Sequence, residues 1–300
     1  MSTLIEDTNQ YICEKLKSPD TFMITRFGWG AEPVLAYKAS INFDSIPKLE
    51  KCMLEYHAGI YGIVNDDDAL KRWCGLYKRA TELSTGVGVW LDNRVHPAIK
   101  NSQLGLIKNN KTLLKADNID PQFAVLQRKI PWTQYLLGKK VLIISPFVDS
   151  FKKQLDAGFK VICGDFEIFK DNQEFVFYKC YNTIAGNHIH KNWIATLDKM
   201  LNDINKLDFD IALVSCGGYG SLLCDYIHNG MHKSAIYVGG CLQILFGVTC
   251  TRYINDKWGG EYLNKNGLIR PSKEEQVQLK TFEELYGINN SNEVQNGCYW

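Results

Sequence analysis

Short apolar, β-rich runs punctuate this chain: "FMITRF" (22–27), "KKVLIIS" (139–145), "GFKVIC" (158–163), "EFVFYKC" (174–180), "DIALVS" (210–215) and "SAIYVG" (234–239). Most are apolar without interruption, the pattern of strands covered on both faces rather than strands with one wet face. Helical patterns lie between several of them. "NWIATLDKMLNDINKL" places Trp193, Leu197, Met200, Leu201 and Ile204 on one face. "DDALKRWCGLYKRATEL" does the same with Leu70, Trp73, Leu76, Tyr77 and Ala80, behind an acidic first turn at Asp66 to Asp68 that suits a helix dipole. Strand and helix in alternation predict an α/β fold with a mainly parallel sheet from about residue 139 onward, helices on both faces, and a more helical part over 1–138. A loop is expected around "LKADNIDPQ", and the polar tail ends in Cys298, Tyr299 and Trp300, which would dock onto the body.

Two of the strands end in glycine turns. "DIALV" runs into Ser215-Cys216-Gly217-Gly218-Tyr219-Gly220, and "SAIYV" runs into Gly239-Gly240. Glycine lets a backbone turn sharply and approach a ligand closely, and a helix that follows offers N–H groups to an anion. Successive turns of this kind would line neighbouring parts of one crevice at the strand ends, with Gln243 and Arg252 just beyond; an arginine there can grip a phosphate or form a surface ion pair. A dinucleotide fingerprint would need glycine at 223, where Leu223 stands, and an acid ending the next strand, which closes instead on "YVGGCLQ". A phosphate-bearing ligand therefore stays open, as does a tight turn without one, and a nicotinamide cofactor does not fit.

"TRFGWGAEP" (25–33) holds Arg26 and Glu32 on either side of Gly28-Trp29-Gly30. A carboxylate beside an arginine can be a base, a metal ligand or one half of a structural ion pair. In "GNHIH", His188 and His190 stand two apart, with no acidic third ligand spaced to complete a metal site. The nucleophile elbow G-x-S-x-G, the phosphate loop G-x-x-x-x-G-K-[ST] and H-E-x-x-H are all missing from the sequence, which removes the main support for acyl hydrolase, P-loop nucleotidase and zincin readings.

Composition sets the remaining bounds. The 300 residues are 45% hydrophobic, ample for a real core, and the formal net charge of +1 is spread along the chain, so no footprint for nucleic acid or an anionic membrane exists. The first residues lack a signal-peptide pattern, and no window reaches the roughly 18 apolar residues of a spanning helix, so a cytoplasmic protein without a transmembrane segment is expected. Ten cysteines without a C-x-x-C pair, several within apolar strands, read as reduced core thiols.

Taken together, "PWTQYLLGKKVLIISPF" (131–147), "FDIALVSCGGYGSLLCDYI" (209–227), "AIYVGGCLQILFGV" (235–248), "CYW" (298–300) and the early "TRFGWGAEP" resemble the GT-D fold glycosyltransferases over essentially the whole chain. The resemblance implies a single domain over 1–300, a Rossmann-like sheet with helices on both sides, and transfer of a sugar from a nucleoside-diphosphate sugar, a UDP-sugar foremost, to a hydroxyl of a glycan or glycoprotein; a homodimer is left open. Founding members carry an Asp-x-Glu pair in an Arg-x-Gly-Asp-Gly-Glu type of loop, associated with a divalent metal, manganese or magnesium. Here Trp29 stands where that aspartate would be and one residue is added before Glu32. Arg26, Gly28 and Glu32 carry over; no cofactor is assigned, and any metal would fall to Glu32. The resemblance thus implies Glu32 and Arg26 as catalytic, with Gly28, Trp29, Ser215–Gly220, Gly239, Gly240, Gln243, Arg252 and His188 around the donor. A nucleotide or sugar-phosphate binding protein without transfer activity, or a sugar-phosphate isomerase using Glu32 or His188 to move a proton, are the alternatives.

Overall fold

The computed structural model describes residues 2–254, 263, 264 and 266–289, apart from the side chains of residues 252 and 254. One sheet of eight strands organises them, in the order β1-β4-β3-β2-β10-β9-β5-β8: β1 (Thr3–Leu4), β4 (Thr112–Lys115), β3 (Gly86–Val89), β2 (Met23–Arg26), β10 (Ser234–Tyr237), β9 (Ile211–Val214), β5 (Val141–Ser145) and β8 (Phe175–Lys179). Every pairing in it is parallel. The strands alternate their side chains between two cores, as a period of two requires. Leu142, Ile144, Ala212 and Val214 join Met23 on one face, while Val141, Ile143, Ile211 and Leu213 join Ile24 and Ile236 on the other.

Connections that step one way along the sheet cross the first face. Between β2, β3 and β4 these are α2 (Ala31–Ile41), α3 (Lys48–Ala58), α4 (Asp67–Leu83) and α5 (Pro97–Leu106); between β8, β9 and β10 they are α8 (Trp193–Ile204) and α9 (Gly220–Asp225). Connections that step the other way cross the second face through α1 (Thr8–Lys17), α6 (Gln122–Leu126) and α7 (Val148–Asp156), where Ile12, Trp132 and Phe151 are buried. This division is what right-handed crossovers between parallel strands dictate. After β10, α10 (Cys241–Leu245) lies on the second face, followed by the short α11 (Thr251–Ile254) and α12 (Phe282–Tyr286).

The expected α/β architecture is thus present, with two corrections. The first 138 residues give four strands to the sheet as well as helices, because "GVGV" and "TLLK" are short strands that carry no long apolar run. "GFKVIC" does not enter the sheet; only Ile162–Cys163 (β6) is extended, and it pairs antiparallel with Phe166–Glu167 (β7) in a separate hairpin. The two helical patterns form as read. Asp66 caps α4 by accepting from Ala69 N–H at 2.9 Å, and Asn192 caps α8 by accepting from Ala195 N–H at 3.0 Å. Trp193, Leu197, Met200 and Ile204 are buried, with Leu201 at the margin. The nine described cysteines are buried and form no disulfide among the described residues. No helix among the described residues is long and apolar enough to cross a membrane. Cys298, Tyr299 and Trp300 lie outside the described residues.

The turn after β9 is fixed by packing. A Cβ on Gly218 would lie 2.6 Å from Ile60 Cγ1, and one on Gly220 would fall on the ring of Tyr237. Gly218→Val should therefore lower stability by about 1–3 kcal/mol, the cost of forcing extra methyl groups into a filled space. A denaturant midpoint equal to that of the parent protein would contradict this packing.

Candidate active site

Because the sheet is parallel, all eight strands deliver their carboxyl ends to one edge, where open α/β sheets bind ligands. The chain leaving β2 enters α2 on the first face, while the chain leaving the adjacent β10 enters α10 on the second. The same divergence separates β9 from β5. Each of these partings leaves an opening.

At the first opening, Arg26 ends β2 inside the protein. Its Nη1 pairs with Asp120 Oδ1 at 2.6 Å and reaches Ala116 O at 3.3 Å, its Nη2 donates to Val238 O, and both charged side chains are only 8% exposed. Burial opposes the guanidinium charge and Asp120 overcomes that opposition, so Arg26 stays protonated. Its cation also lies 5.6 Å from the ring centroid of Trp90. The turn after β10 closes over this arginine: Gly239 has φ +66, and a Cβ there would stand 2.6 Å from Arg26 Nη2, so both conformation and space call for glycine.

The partner of Arg26 is therefore Asp120, and the structural ion pair with Glu32 considered from sequence does not form. Among the described residues no cation pairs with Glu32. Its carboxyl group rests over Gly28, where a Cβ would occupy its position, at the head of α2. Burial raises its pKa above the ordinary carboxylate value, with its own N–H drawing it back the other way. Tyr77 stands close by: Gly28 N–H meets Tyr77 Oη at 3.4 Å, and burial together with the Glu32 charge raises the phenol's pKa.

Trp29, the next residue, is 37% exposed, with its ring edge against Trp90 at 4.7 Å between centroids. Arg94 lies over it at 5.7 Å and grips Asp92 through Nε at 2.8 Å and Nη2 at 3.0 Å, while also pairing with Asp117. These acids and Arg94 were not singled out from sequence, nor was Asp120. The available signal was physical: an arginine ending a buried strand needs an acid, and Asp120 stands in the segment expected to be a plain loop.

The second opening is a shallow recess, open to solvent, lined by Pro146 after β5, Tyr181, Asn182 and Thr183 after β8, and Ser215, Cys216, Gly217 and Tyr219 after β9. The Nδ2 group of Asn182 is buried without a hydrogen-bond partner among the described residues. Gly217 takes φ +49, and its carbonyl accepts from Tyr237 Oη at 2.8 Å. The N–H groups of Gly217 and Gly218 donate to no acceptor among the described residues. Gly239 N–H bonds Val214 O at 2.9 Å, which ties the two glycine turns together and makes the openings neighbours along one rim.

The remaining sequence candidates lie differently. Gln243 is 1% exposed with Nε2 donating to Thr249 O at 3.2 Å, so it holds the end of α10 inside the fold. His188 stacks on Tyr61 at 4.4 Å with Nε2 3.7 Å from Glu55 Oε1, whereas His190 bonds Thr196 Oγ1 at 3.0 Å, so the two rings take separate partners. Gly240 opens α10, and the side chain of Arg252 lies outside the described residues. No three acid, histidine or cysteine side chains converge on a metal-sized site among the described residues. With Trp29 in the aspartate's place and Asp92 and Asp117 already held by Arg94, the side chains present do not fit the divalent metal implied by the resemblance.

The sheet, its glycine turns and this early loop match the family model described as a GT-D fold-like domain, across residues 6–245. The chain belongs to that family. No curated protein and no solved structure matches it. Membership assigns the GT-D type of fold to the sheet and both openings, since the matched segment runs from before α1 to the end of α10.

The GT-D architecture depends here on the buried pair. Asp120→Ala would leave the Arg26 charge buried and uncompensated, so unfolding free energy should fall by about 3–5 kcal/mol, read as a lower denaturant midpoint. A loss under about 1 kcal/mol, the scale of an exposed ion pair, would contradict this placement.

Proposed function

We propose that this protein is a glycosyltransferase that moves a sugar from a nucleoside-diphosphate sugar to an acceptor hydroxyl, with Glu32 as the group that takes the acceptor's proton. One observation carries the assignment within a GT-D fold. The carboxyl group at the sheet's carboxyl edge is desolvated and pairs with no cation among the described residues, while the arginine six residues earlier is engaged with Asp120. Its proton affinity is raised by burial, the direction a general base requires.

In the transfer step the acceptor oxygen forms a bond to the anomeric carbon, the bond from that carbon to the phosphate oxygen breaks, and the acceptor proton passes to a Glu32 oxygen. The leaving group is a nucleoside diphosphate. The N–H groups of Gly217 and Gly218, which donate to no acceptor among the described residues, would donate to its phosphates. The nucleoside would lie over the neighbouring recess, with the Asn182 Nδ2 donor meeting a carbonyl of the base. Uracil offers such carbonyls and adenine does not, so a UDP-sugar fits this donor where an ADP-sugar does not. Arg26 acts at one remove: it fixes the ends of β2 and β10 and so positions Gly28 and Glu32.

The raised pKa fixes a sign. The folded protein binds a proton at Glu32 more tightly than the unfolded chain does, so this group's contribution to stability is complete below the unfolded value of 4.5 and is lost as pH rises through the folded value. Glu32→Gln removes that loss. The variant should melt at or above the parent's temperature at pH 7, while donor hydrolysis and transfer fall about 100-fold or more, the scale of general-base loss. A lower melting temperature with turnover per folded molecule intact would make Glu32 structural. An unmodified donor in the presence of the parent protein would leave only a binding protein.

A further inference from the structure

The family match ends at residue 245, and a later segment of the chain, residues 277–288, returns to the rim of the sheet. It carries α12, opened by a capping box in which Thr281 Oγ1 accepts from Glu284 N–H at 3.1 Å and Glu284 Oε2 accepts from Thr281 N–H at 2.6 Å. The segment packs into neither core of the sheet. Val277, Leu279, Phe282, Leu285 and Tyr286 instead form a third apolar cluster with Cys52 and Tyr56 of α3 and with Ile184 and Ala185 of the chain leaving β8. Phe282 is 1% exposed, its ring edge-on to Tyr56 at 5.1 Å between centroids. Three hydrogen bonds close a ring through these pieces: Lys280 N–H donates to Ala185 O at 3.1 Å, Ala185 N–H to Tyr56 O at 2.9 Å, and Tyr56 Oη to Lys280 O at 3.1 Å. Ala185 stands at φ +48, a conformation that residues with side chains seldom take and keep only where their surroundings impose it. Gly186 follows at φ +82, with Leu285 Cδ2 2.9 Å from where its Cβ would lie.

The loop held in this way is also a wall of the recess. Ile184 both lines the recess and is buried in the third cluster. Thr183, the lining residue before it, donates from Oγ1 to Gly59 O at 2.8 Å, and that carbonyl also accepts from Tyr219 Oη at 3.1 Å, so the end of α3 joins this loop to the glycine turn after β9. We infer that residues 277–288 are a strap that holds the recess in its ligand-binding shape, with Phe282 as the positioning residue. Phe282 acts through Ile184 and Ala185. Without its ring the cluster no longer imposes the left-handed turn at Ala185, and the loop relaxes, taking Asn182 and Thr183 with it. A small cluster outside the main cores is the kind of unit that opens ahead of the rest of a protein. Docking of the strap and the shape of the recess share one equilibrium, so a ligand in the recess also holds the strap. The effect on donor binding rests on the nucleotide reading above, whereas the hold on the loop does not.

The test combines amide hydrogen exchange with calorimetric titration of UDP, both on the whole chain. In Phe282→Ala the amides of residues 183–188 should exchange about tenfold faster while those of β5 and β9 keep their parental rates, because the third cluster is separate from both cores. UDP should bind this variant about tenfold more weakly, within the usual range of such couplings, and saturating UDP should slow exchange over 277–288 in the parent protein. Phe282→Leu, which keeps an apolar side chain there, should restore both the exchange rates and the affinity. Unchanged exchange over 183–188 in Phe282→Ala would overturn the hold, and parental UDP affinity despite faster exchange would overturn its link to the recess. If Phe282→Ala does not fold, Tyr56→Phe decides, since it removes the bond to Lys280 O and leaves the apolar ring in place. Faster exchange over 277–288 together with weaker UDP binding in Tyr56→Phe would support the strap, and no change in either would overturn it. A parent protein that binds no UDP refutes the nucleotide reading alone, and the strap is then judged by the exchange of 183–188.

Discussion

The buried contact between Arg26 and Asp120 organises the edge of the sheet on which function rests. It joins elements far apart in sequence: the end of β2, the turn after β4, and, through Val238 O, the end of β10. Two charges hidden together cost a large desolvation penalty, recovered only when the geometry and the accompanying hydrogen bonds are good. Here the guanidinium finds a carboxylate and two carbonyls, with the Trp90 face beside it. The consequence for chemistry is indirect. Once Arg26 is committed to Asp120, the desolvated carboxyl of Glu32 pairs with no cation among the described residues, and that is where the carboxyl ends of β2 and β10 part.

Glycine serves two purposes along this rim. Gly239 is needed because the backbone takes a positive φ and because Arg26 comes too close for a side chain. Gly218 and Gly220 are needed because Ile60 and Tyr237 fill the space a Cβ would take. From sequence, both turns suggest room for a ligand, yet much of that room is occupied by the protein itself. What remains for a ligand is the unpaired N–H groups of Gly217 and Gly218 and the recess beside them. A glycine run therefore signals close approach without telling what approaches.

The parts of the fold that could be read from sequence are those where burial writes a pattern. β5, β9 and β10 are continuous apolar runs because helices cover them on both faces, and α4 and α8 show their buried stripe at helical spacing. β3 and β4 escaped because four residues with two glycines, or with threonine and lysine at the ends, carry no such pattern; pairing of β3 with β2 and of β4 with β3 makes them strands. "GFKVIC" looked like its neighbours but lies in the connection between β5 and the edge strand β8, in a hairpin. At the site, Arg26, Gly28 and Glu32 were legible through the family loop, whereas Asp120, Tyr77 and Arg94 were not, since long-range partners leave no local trace.

The central claim is that Glu32 is a desolvated carboxylate at the mouth of the sheet, paired with no cation among the described residues. Titration of the side-chain carboxyl carbons in protein labelled with ¹³C-glutamate, with the Glu32 resonance assigned by its disappearance in Glu32→Gln, measures this directly. The account predicts a midpoint above the ordinary glutamate value of 4.5, rising further when UDP brings negative charge to the rim. A midpoint at or below 4.5, as a carboxylate held by an arginine would show, would contradict it.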